Sequence, residues 1–196
     1  MSSKKYLKSF LEISYISGMQ VTIKVPLELT KNQEEILFDT GMLYTKCYNM
    51  ICRYGWDNNV TNKVEIHKAT YYPIRNEFPK LNSSLVQAAR DKAIGSLKSA
   101  KSNKKYHKVS CPSSSLIPIQ YNKRTFTLDL KNNHVSLSSI EGRIHINFKT
   151  SNHAKKWIAK AEGYKAEGYA SAGCPSTTLS PLQYSERCVL GDVTCM

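Results

Sequence analysis

The chain has 196 residues and carries 28 Lys and Arg against 15 Asp and Glu, so its formal net charge is +13 at pH 7. Hydrophobic residues make up 41% of it, which is enough for a buried core, and the length fits one domain or one and a half. It has neither a run of about eighteen apolar residues nor a signal-peptide pattern, so we expect a cytoplasmic protein without a membrane partner. So basic a chain points first to a polyanionic partner, a nucleic acid or an anionic membrane surface, the alternative being a merely soluble basic protein.

The cysteines give no metal-binding pattern. None of the six has C-x-x-C spacing, and Cys47 and Cys52 are five positions apart. Cys47 and Cys52 are therefore interpreted as reduced residues of a helix core. We expect no cofactor and no metal site.

The first recognisable elements are a strand and a long helix. Residues 20–28 alternate between apolar and polar, which predicts a strand that Pro26 ends or places at a sheet edge. Thr30 and Gln33 have the spacing of a capping box and begin a helix. The Gly and Asn residues of 55–59 end that helix.

Two further helices follow. Asn62, with Glu65, begins one that reaches Phe78 and that Pro73 kinks or shortens. The other begins near Asn82 or Ser83. Its inward residues are predicted to be Leu85, Val86, Ala89, Ala93, Ile94 and Leu97.

A basic stretch then changes the character of the chain. Residues 92–128 contain eight basic residues and no acid, and residues 102–120 are interpreted as a mobile basic loop. Alternation over residues 124–130, 134–137 and 143–148 predicts an antiparallel three-stranded meander. Beyond residue 150 a short helix over 152–161 is the last pattern, and residues 151–196 are predicted to be a disordered or frameshifted tail.

Several short sequence motifs, in their order along the chain, resemble the N-terminal half of the TnpB/OrfB insertion-sequence transposases, a family of RNA-guided nucleases. They are TKNQE at 30–34, YNMI at 48–51, LNSSLVQAARDKA at 81–93, YNKRTFTL at 121–128 and VSLSSIEGRI at 135–144. The resemblance covers about residues 20–150. It implies an α+β fold: a small, wedge-like antiparallel β-barrel, made by residues 1–29 and 121–150, that is split by a helical insertion of three helices over 30–101. The basic loop, 102–120, joins the two parts.

The resemblance also implies a function. In the family this half grips the guide RNA and the guide–target duplex, so the expected partner is structured RNA, an RNA–DNA duplex or DNA, with a full-length relative as a possible second partner. The family's nuclease half needs several converging carboxylates, and the acids after residue 150 are only Glu162, Glu167, Glu186 and Asp192. We therefore expect a truncated chain that is not an enzyme. The alternatives are a regulatory fragment that binds its relative, and an inert transposon relic.

The candidate residues for nucleic-acid contact are cations and aromatic residues of the basic stretch, together with two helical arginines. The cations would neutralise phosphates, and the tyrosines among them could stack on bases. The alternative is a solvated loop with its tyrosines packed on neighbouring elements. Arg75, on one helix with Tyr71 and Tyr72, could touch a duplex backbone or lie at the rim of a helix pair. The full set is Lys98, Lys101, Lys104, Lys105, Lys108, Lys123, Arg124, Tyr106, Tyr121, Arg75 and Arg90.

Overall fold

The computed structural model describes residues 10–17, 19–103, 109–129, 132–152, 155 and 192–193. Its elements confirm the mixed α+β class. In chain order they are β1 (Phe10–Ser17), β2 (Met19–Glu28), α1 (Lys31–Asp57), α2 (Lys63–Glu77), α3 (Ser83–Asn103), β3 (Phe126–Asp129), β4 (His134–Ser139), β5 (Gly142–Phe148) and β6 (Asp192–Val193).

The described residues fall into two compact units. The sheet unit takes in the described parts of Met1–Glu34, Pro118–Ser138 and Arg143–Met196, and the helical unit takes in those of Glu35–Ile117 and Ser139–Gly142. The chain therefore leaves the sheet unit, forms the helices and returns to the sheet. The predicted short helix at 152–161 and the predicted disordered tail lie almost entirely outside the described residues.

The strands lie side by side in the order β3-β4-β5-β2-β1-β6. β1 is antiparallel to β2, β2 to β5 and β3 to β4, and β6 adds two residues parallel to β1. Because β3 and β6 are the two edges, the described strands form an open sheet, and the predicted closure into a barrel is not supported. The strand at Phe10–Ser17 was not predicted from the sequence.

Pro26 neither ends β2 nor lies at a sheet edge, so that prediction is wrong. The strand continues to Glu28 and lies between β1 and β5. The Pro26 carbonyl accepts a hydrogen bond from the Lys149 backbone, just past the end of β5. Since a strand residue turns its nitrogen and its carbonyl to the same side, Pro26 has no N–H to donate to Lys149 in return, and this pair keeps only one of its two hydrogen bonds.

The meander predicted from the alternation is confirmed. β3 pairs with β4 in a register that places Phe126 opposite Leu137 and Asp129 opposite His134. The two tight connections have the left-handed backbone expected of such turns, with φ of 52° at Asn133 and 98° at Gly142. Val135, Leu137, Ile146 and Phe148 are buried and form the apolar side of these strands.

The predicted helix starts are also confirmed. The Gln33 side chain accepts from the Thr30 backbone N–H at 3.0 Å, and Thr30 Oγ1 accepts from the Gln33 N–H at 3.3 Å. The Asn62 side chain accepts from the backbones of Val64 and Glu65, and that of Asn82 from Ser84. All six apolar residues predicted to face inward from α3 are buried.

Two residues that commonly end helices lie inside them instead. α1 continues past Gly55 to Asp57, and α2 runs through Pro73 to Glu77. Gly55 is buried, and a Cβ there would lie 2.5 Å from the Leu97 side chain and 2.9 Å from the Val60 carbonyl. Gly55 therefore allows a close approach of α1 to α3 and does not stop the helix.

No helix of the described part of the chain is both long and apolar enough to cross a membrane.

The prediction of a mobile basic loop over residues 102–120 is wrong at both of its ends. α3 extends to Asn103, and residues 109–117 are docked on α1. Residues 104–108, between these two parts, lie outside the described residues.

Candidate nucleic-acid interface

A tight turn before β3 exposes two of the predicted cations. The Asn122 side chain accepts from the Arg124 backbone N–H at 3.0 Å, and the Asn122 carbonyl accepts from the Thr125 N–H at 2.8 Å. This pairing is typical of an Asn that closes a turn with its own side chain. Thr125 is buried, and Lys123 and Arg124 are exposed on the turn it anchors.

Arg143 of β5 reaches across β4 to the same turn. Its guanidinium donates to the Arg124 carbonyl at 2.7 Å, to Thr127 Oγ1 at 3.0 Å and to Ser136 Oγ at 3.4 Å. The rigid fork of an arginine suits such simultaneous contacts. Arg143 therefore fixes the turn and places a third cation beside it. We call Lys123, Arg124 and Arg143 the basic cluster.

The two arginines of the basic cluster carry permanent positive charge. Among the residues that the structure describes, neither Arg124 nor Arg143 is ion-paired with a carboxylate. Both side chains are exposed, and guanidinium groups bind phosphate through charge-assisted hydrogen bonds.

The end of α3 in the helical unit carries two more of the predicted cations. Lys98 is exposed and Lys101 is half-buried, one turn apart. Cations in the last turns of a helix are favoured by the helix dipole, so their placement there also has a structural reason. Lys104, Lys105, Tyr106 and Lys108 follow directly and lie outside the described residues.

The chain that follows this segment is docked on α1. Asn49 donates to the Ser114 carbonyl at 2.8 Å and accepts from the Ser114 N–H at 3.0 Å, and the Ile117 N–H donates to Thr45 Oγ1 at 3.0 Å. Residues 109–117 thus run antiparallel to the helix. Burial raises the pKa of the Cys111 thiol in this segment, and the charge of exposed Arg53 opposes that rise.

Two candidate residues are buried and cannot contact a ligand in this structure, so those predictions are corrected. Arg90 is 7% exposed, because it lies on the inward face of α3, and it binds His67 and Asp91. Tyr121 is fully buried, and burial raises the pKa of its hydroxyl well above the usual range. Its ring is not available for stacking on a base.

Arg75 is half-buried and has a structural role at the end of α2. Its guanidinium donates to the carbonyls of Pro79 and Leu81, which follow the helix. These contacts satisfy carbonyl groups of the turn that connects α2 to α3. Most of the geometry of Arg75 is explained by this local role.

The interpretation of Cys47 and Cys52 as reduced core residues is supported by their surroundings. Both are fully buried free thiols, and burial raises the pKa of each to about 12. A thiol with so high a pKa is a poor nucleophile and a poor metal ligand. In the described part of the chain, no three His, Cys, Asp or Glu side chains lie close enough to hold a metal ion.

Two exposed arginines were not among the candidates predicted from the sequence. Arg143 belongs to the VSLSSIEGRI motif but was not a candidate, since only the register of the strands brings it to the turn. Arg53 was missed because its place depends on the docking of a segment about sixty residues later. Both positions depend on contacts between residues that are far apart in the sequence.

No protein-family model matches this chain. The curated proteins likewise contain no match.

Proposed function

We propose that this chain binds nucleic acid through its phosphate backbone, with the basic cluster as a principal contact. The observation that carries the proposal is the position of Arg143, whose guanidinium is bound to the Arg124 carbonyl at 2.7 Å while both arginines lack a carboxylate partner among the described residues. An arginine fixed by backbone contacts loses less entropy when it binds a phosphate. The same fork retains N–H groups for an additional acceptor.

The partner we propose is structured RNA or a duplex containing it, as the resemblance to the TnpB/OrfB transposases implies. Lys98, Lys101 and the lysines at 104, 105 and 108 would contribute further phosphate contacts from the helical unit. Contacts to phosphates position a protein on a nucleic acid but carry no sequence information. We therefore expect affinity without strong sequence preference from these residues alone.

We also propose that the chain has no nuclease activity of its own. Two-metal hydrolysis requires several carboxylates that converge on the ions. The acids after residue 150 are four and widely spaced in sequence. Cleavage of nucleic acid that survives repurification and is abolished by a chelator would contradict this proposal.

The test of binding is a titration of the full chain against a labelled structured RNA and a labelled DNA duplex at moderate salt. The variant Lys123→Ala/Arg124→Ala/Arg143→Ala removes the basic cluster. The matched control, Lys31→Ala/Lys46→Ala/Lys80→Ala, removes the same charge at three exposed positions that do not belong to the cluster. Circular dichroism and thermal melting establish that all three proteins are folded.

The proposal predicts at least about a 10-fold loss of RNA affinity in the cluster variant, as expected when charge-assisted hydrogen bonds to phosphate are removed. The control should lose much less, because it changes only the long-range field. Equal losses in the two variants would mean that the charge acts generically. An unchanged affinity in the cluster variant would show that the basic cluster does not contact the nucleic acid.

A further inference from the structure

The outer face of α2 presents an exposed aromatic ring. The helix packs inward through Ile66, Thr70 and Ile74, which are buried at intervals of four residues. Tyr72 lies on the opposite side of the helix and is 72% exposed. A tyrosine ring exposed to this degree contributes little burial energy to the fold. Packing within the chain therefore does not explain its position.

A series of pairwise contacts links the Tyr72 ring to the core. Tyr71 meets it edge-on, with ring centroids 5.4 Å apart, and His67 lies 4.7 Å from Tyr71 on the other side. His67 Nδ1 accepts a hydrogen bond of 2.8 Å from buried Arg90. The edge-on contact with Tyr71 limits the orientations of the exposed ring, which lowers the entropy lost on binding.

Arg90 is itself fixed by Asp91. Its Nε and one terminal nitrogen donate to the same Asp91 oxygen at 2.9 and 2.8 Å. The second Asp91 oxygen accepts from Lys63 at 2.9 Å. The contacts from Asp91 through Arg90 and His67 to the tyrosines thus join α3 to the outer face of α2.

The charges beside Tyr72 are positive. Lys68 lies one helical turn before it and is exposed, with no ion pair among the described residues, and Arg75 lies one turn after it. The acids of α2 are more distant: Glu65 is two turns away, and Glu77 points to another side of the helix by its position in the 3.6-residue repeat.

The face does not have the form of an apolar protein-docking patch. The other large exposed hydrophobic side chain of α2, Val64, is separated from Tyr72 by Lys68, and exposed Pro73 adds only its small ring next to Tyr72. A continuous apolar surface is what partner helices and protein interfaces need. A single ring flanked by cations is instead the arrangement that single-stranded nucleic acid needs, one base on the ring and phosphates on the cations.

We propose that Tyr72 is a stacking platform for an unpaired base, with Lys68 and Arg75 beside the adjoining phosphates. This proposal rests on the proposed function, because it assigns part of the same nucleic acid to a second surface. It adds that the ligand has an unpaired stretch. It also gives Arg90, Tyr71 and His67 the role of positioning residues.

The experiment measures binding of the full chain to a single-stranded RNA of about fifteen nucleotides and to an oligonucleotide of equal length and charge in which the central nucleotides are abasic. The variants are Tyr72→Ala, Tyr72→Phe and Tyr72→Leu. Because Tyr72 is exposed, none of them should change the thermal stability much. The cluster variant Lys123→Ala/Arg124→Ala/Arg143→Ala is measured alongside.

The expected result is a loss of about 5- to 100-fold in Tyr72→Ala with the base-bearing strand, the range of one stacked base, and almost no loss with the abasic strand. Tyr72→Phe should bind as the wild type does, and Tyr72→Leu as Tyr72→Ala does. An equal loss with both strands, or normal binding by Tyr72→Leu, would overturn the stacking role.

The two proposals can fail separately. If the wild type binds and the cluster variant is impaired while Tyr72→Ala is not, the platform is overturned and the phosphate contacts stand. If the wild type binds neither RNA, DNA duplex nor single strand, both proposals are overturned. Binding of a second protein that Tyr72→Leu preserves would indicate an apolar interface on this face instead.

Discussion

The buried thiol and phenol groups of α1 connect single residues to the stability of the fold. Cys47, Tyr48 and Cys52 are protonated in the folded chain because burial raises the pKa of each to about 12, and Tyr48 lies against Cys52. In the unfolded chain the pKa of each thiol returns to its ordinary value of 9.0 and that of Tyr48 to 10.0. The neutral groups are thus part of the core, and ionising one of them requires the helix to open.

The raised pKa values predict that the free energy of unfolding decreases at high pH. A group whose folded pKa is raised contributes stability that is complete below its unfolded pKa and is lost as the pH rises toward the folded value. The free energy of unfolding should therefore be level up to about pH 8.5 and fall above pH 9, by up to about 1.4 kcal/mol per pH unit for each thiol.

Urea unfolding between pH 7 and 11 measures this dependence. The control is Cys47→Ala/Cys52→Ala, in which the fall above pH 9 should be shallower because only tyrosines and surface groups still titrate. A wild-type stability that stays constant to pH 11 would show that the thiols ionise as readily in the folded chain as in the unfolded one.

Individual candidate residues could be predicted only in part. Lys98, Lys123 and Arg124 are exposed as a phosphate contact requires, whereas Arg90 and Tyr121 are buried. Arg90 follows the 3.6-residue repeat of Val86 and Leu97, so the periodicity that placed its apolar neighbours inward also applied to it. A charge in that stripe was assigned outward because its partners, His67 and Asp91, are known only once α2 and α3 are packed.

At the scale of elements, local signals predicted helix starts better than they predicted strands. The Thr30 capping box and the Asn caps act within three residues, and each is formed as expected. β1 and the docked segment were missed because they depend on partners far away in sequence. β2 was predicted from its alternation, but its neighbour β5 lies more than a hundred residues later.

The docked segment gives a prediction at this scale. Asn49→Ala removes both hydrogen bonds to Ser114, so residues 109–117 should be held to α1 mainly by Thr45. We expect a loss of about 1 to 3 kcal/mol in the free energy of unfolding, from two broken bonds at a partly buried site. Amide exchange of residues 109–117 should accelerate, while that of α2 stays unchanged.

The control for this prediction is Asn76→Ala, an exposed amide of α2 whose loss should leave the exchange of residues 109–117 unchanged. Rapid exchange of residues 109–117 already in the wild type would contradict the docking. If the docked segment also positions the lysines at 104, 105 and 108, Asn49→Ala should weaken RNA binding moderately without a change of charge.

At the scale of the whole molecule, the net charge of +13 is carried by both units. The basic cluster belongs to the sheet unit, and Lys98, Lys101 and Lys68 belong to the helical unit. A long polyanion can contact several such sites at once, and linked contacts raise the affinity beyond that of each site. The positive charge of the chain was evident from its composition. The meeting of Arg143 with the turn that carries Lys123 and Arg124 depends on the strand register.

The most direct test of the account is the salt dependence of RNA binding by the wild type and by the Lys123→Ala/Arg124→Ala/Arg143→Ala variant. Each phosphate that a protein neutralises contributes about 0.7 to 0.9 to the slope of log affinity against log salt. The account predicts a steep wild-type slope that becomes shallower by about 2 to 3 in the variant. An identical slope in the two proteins, or a wild-type affinity that does not respond to salt, would contradict the claim that this turn binds phosphates.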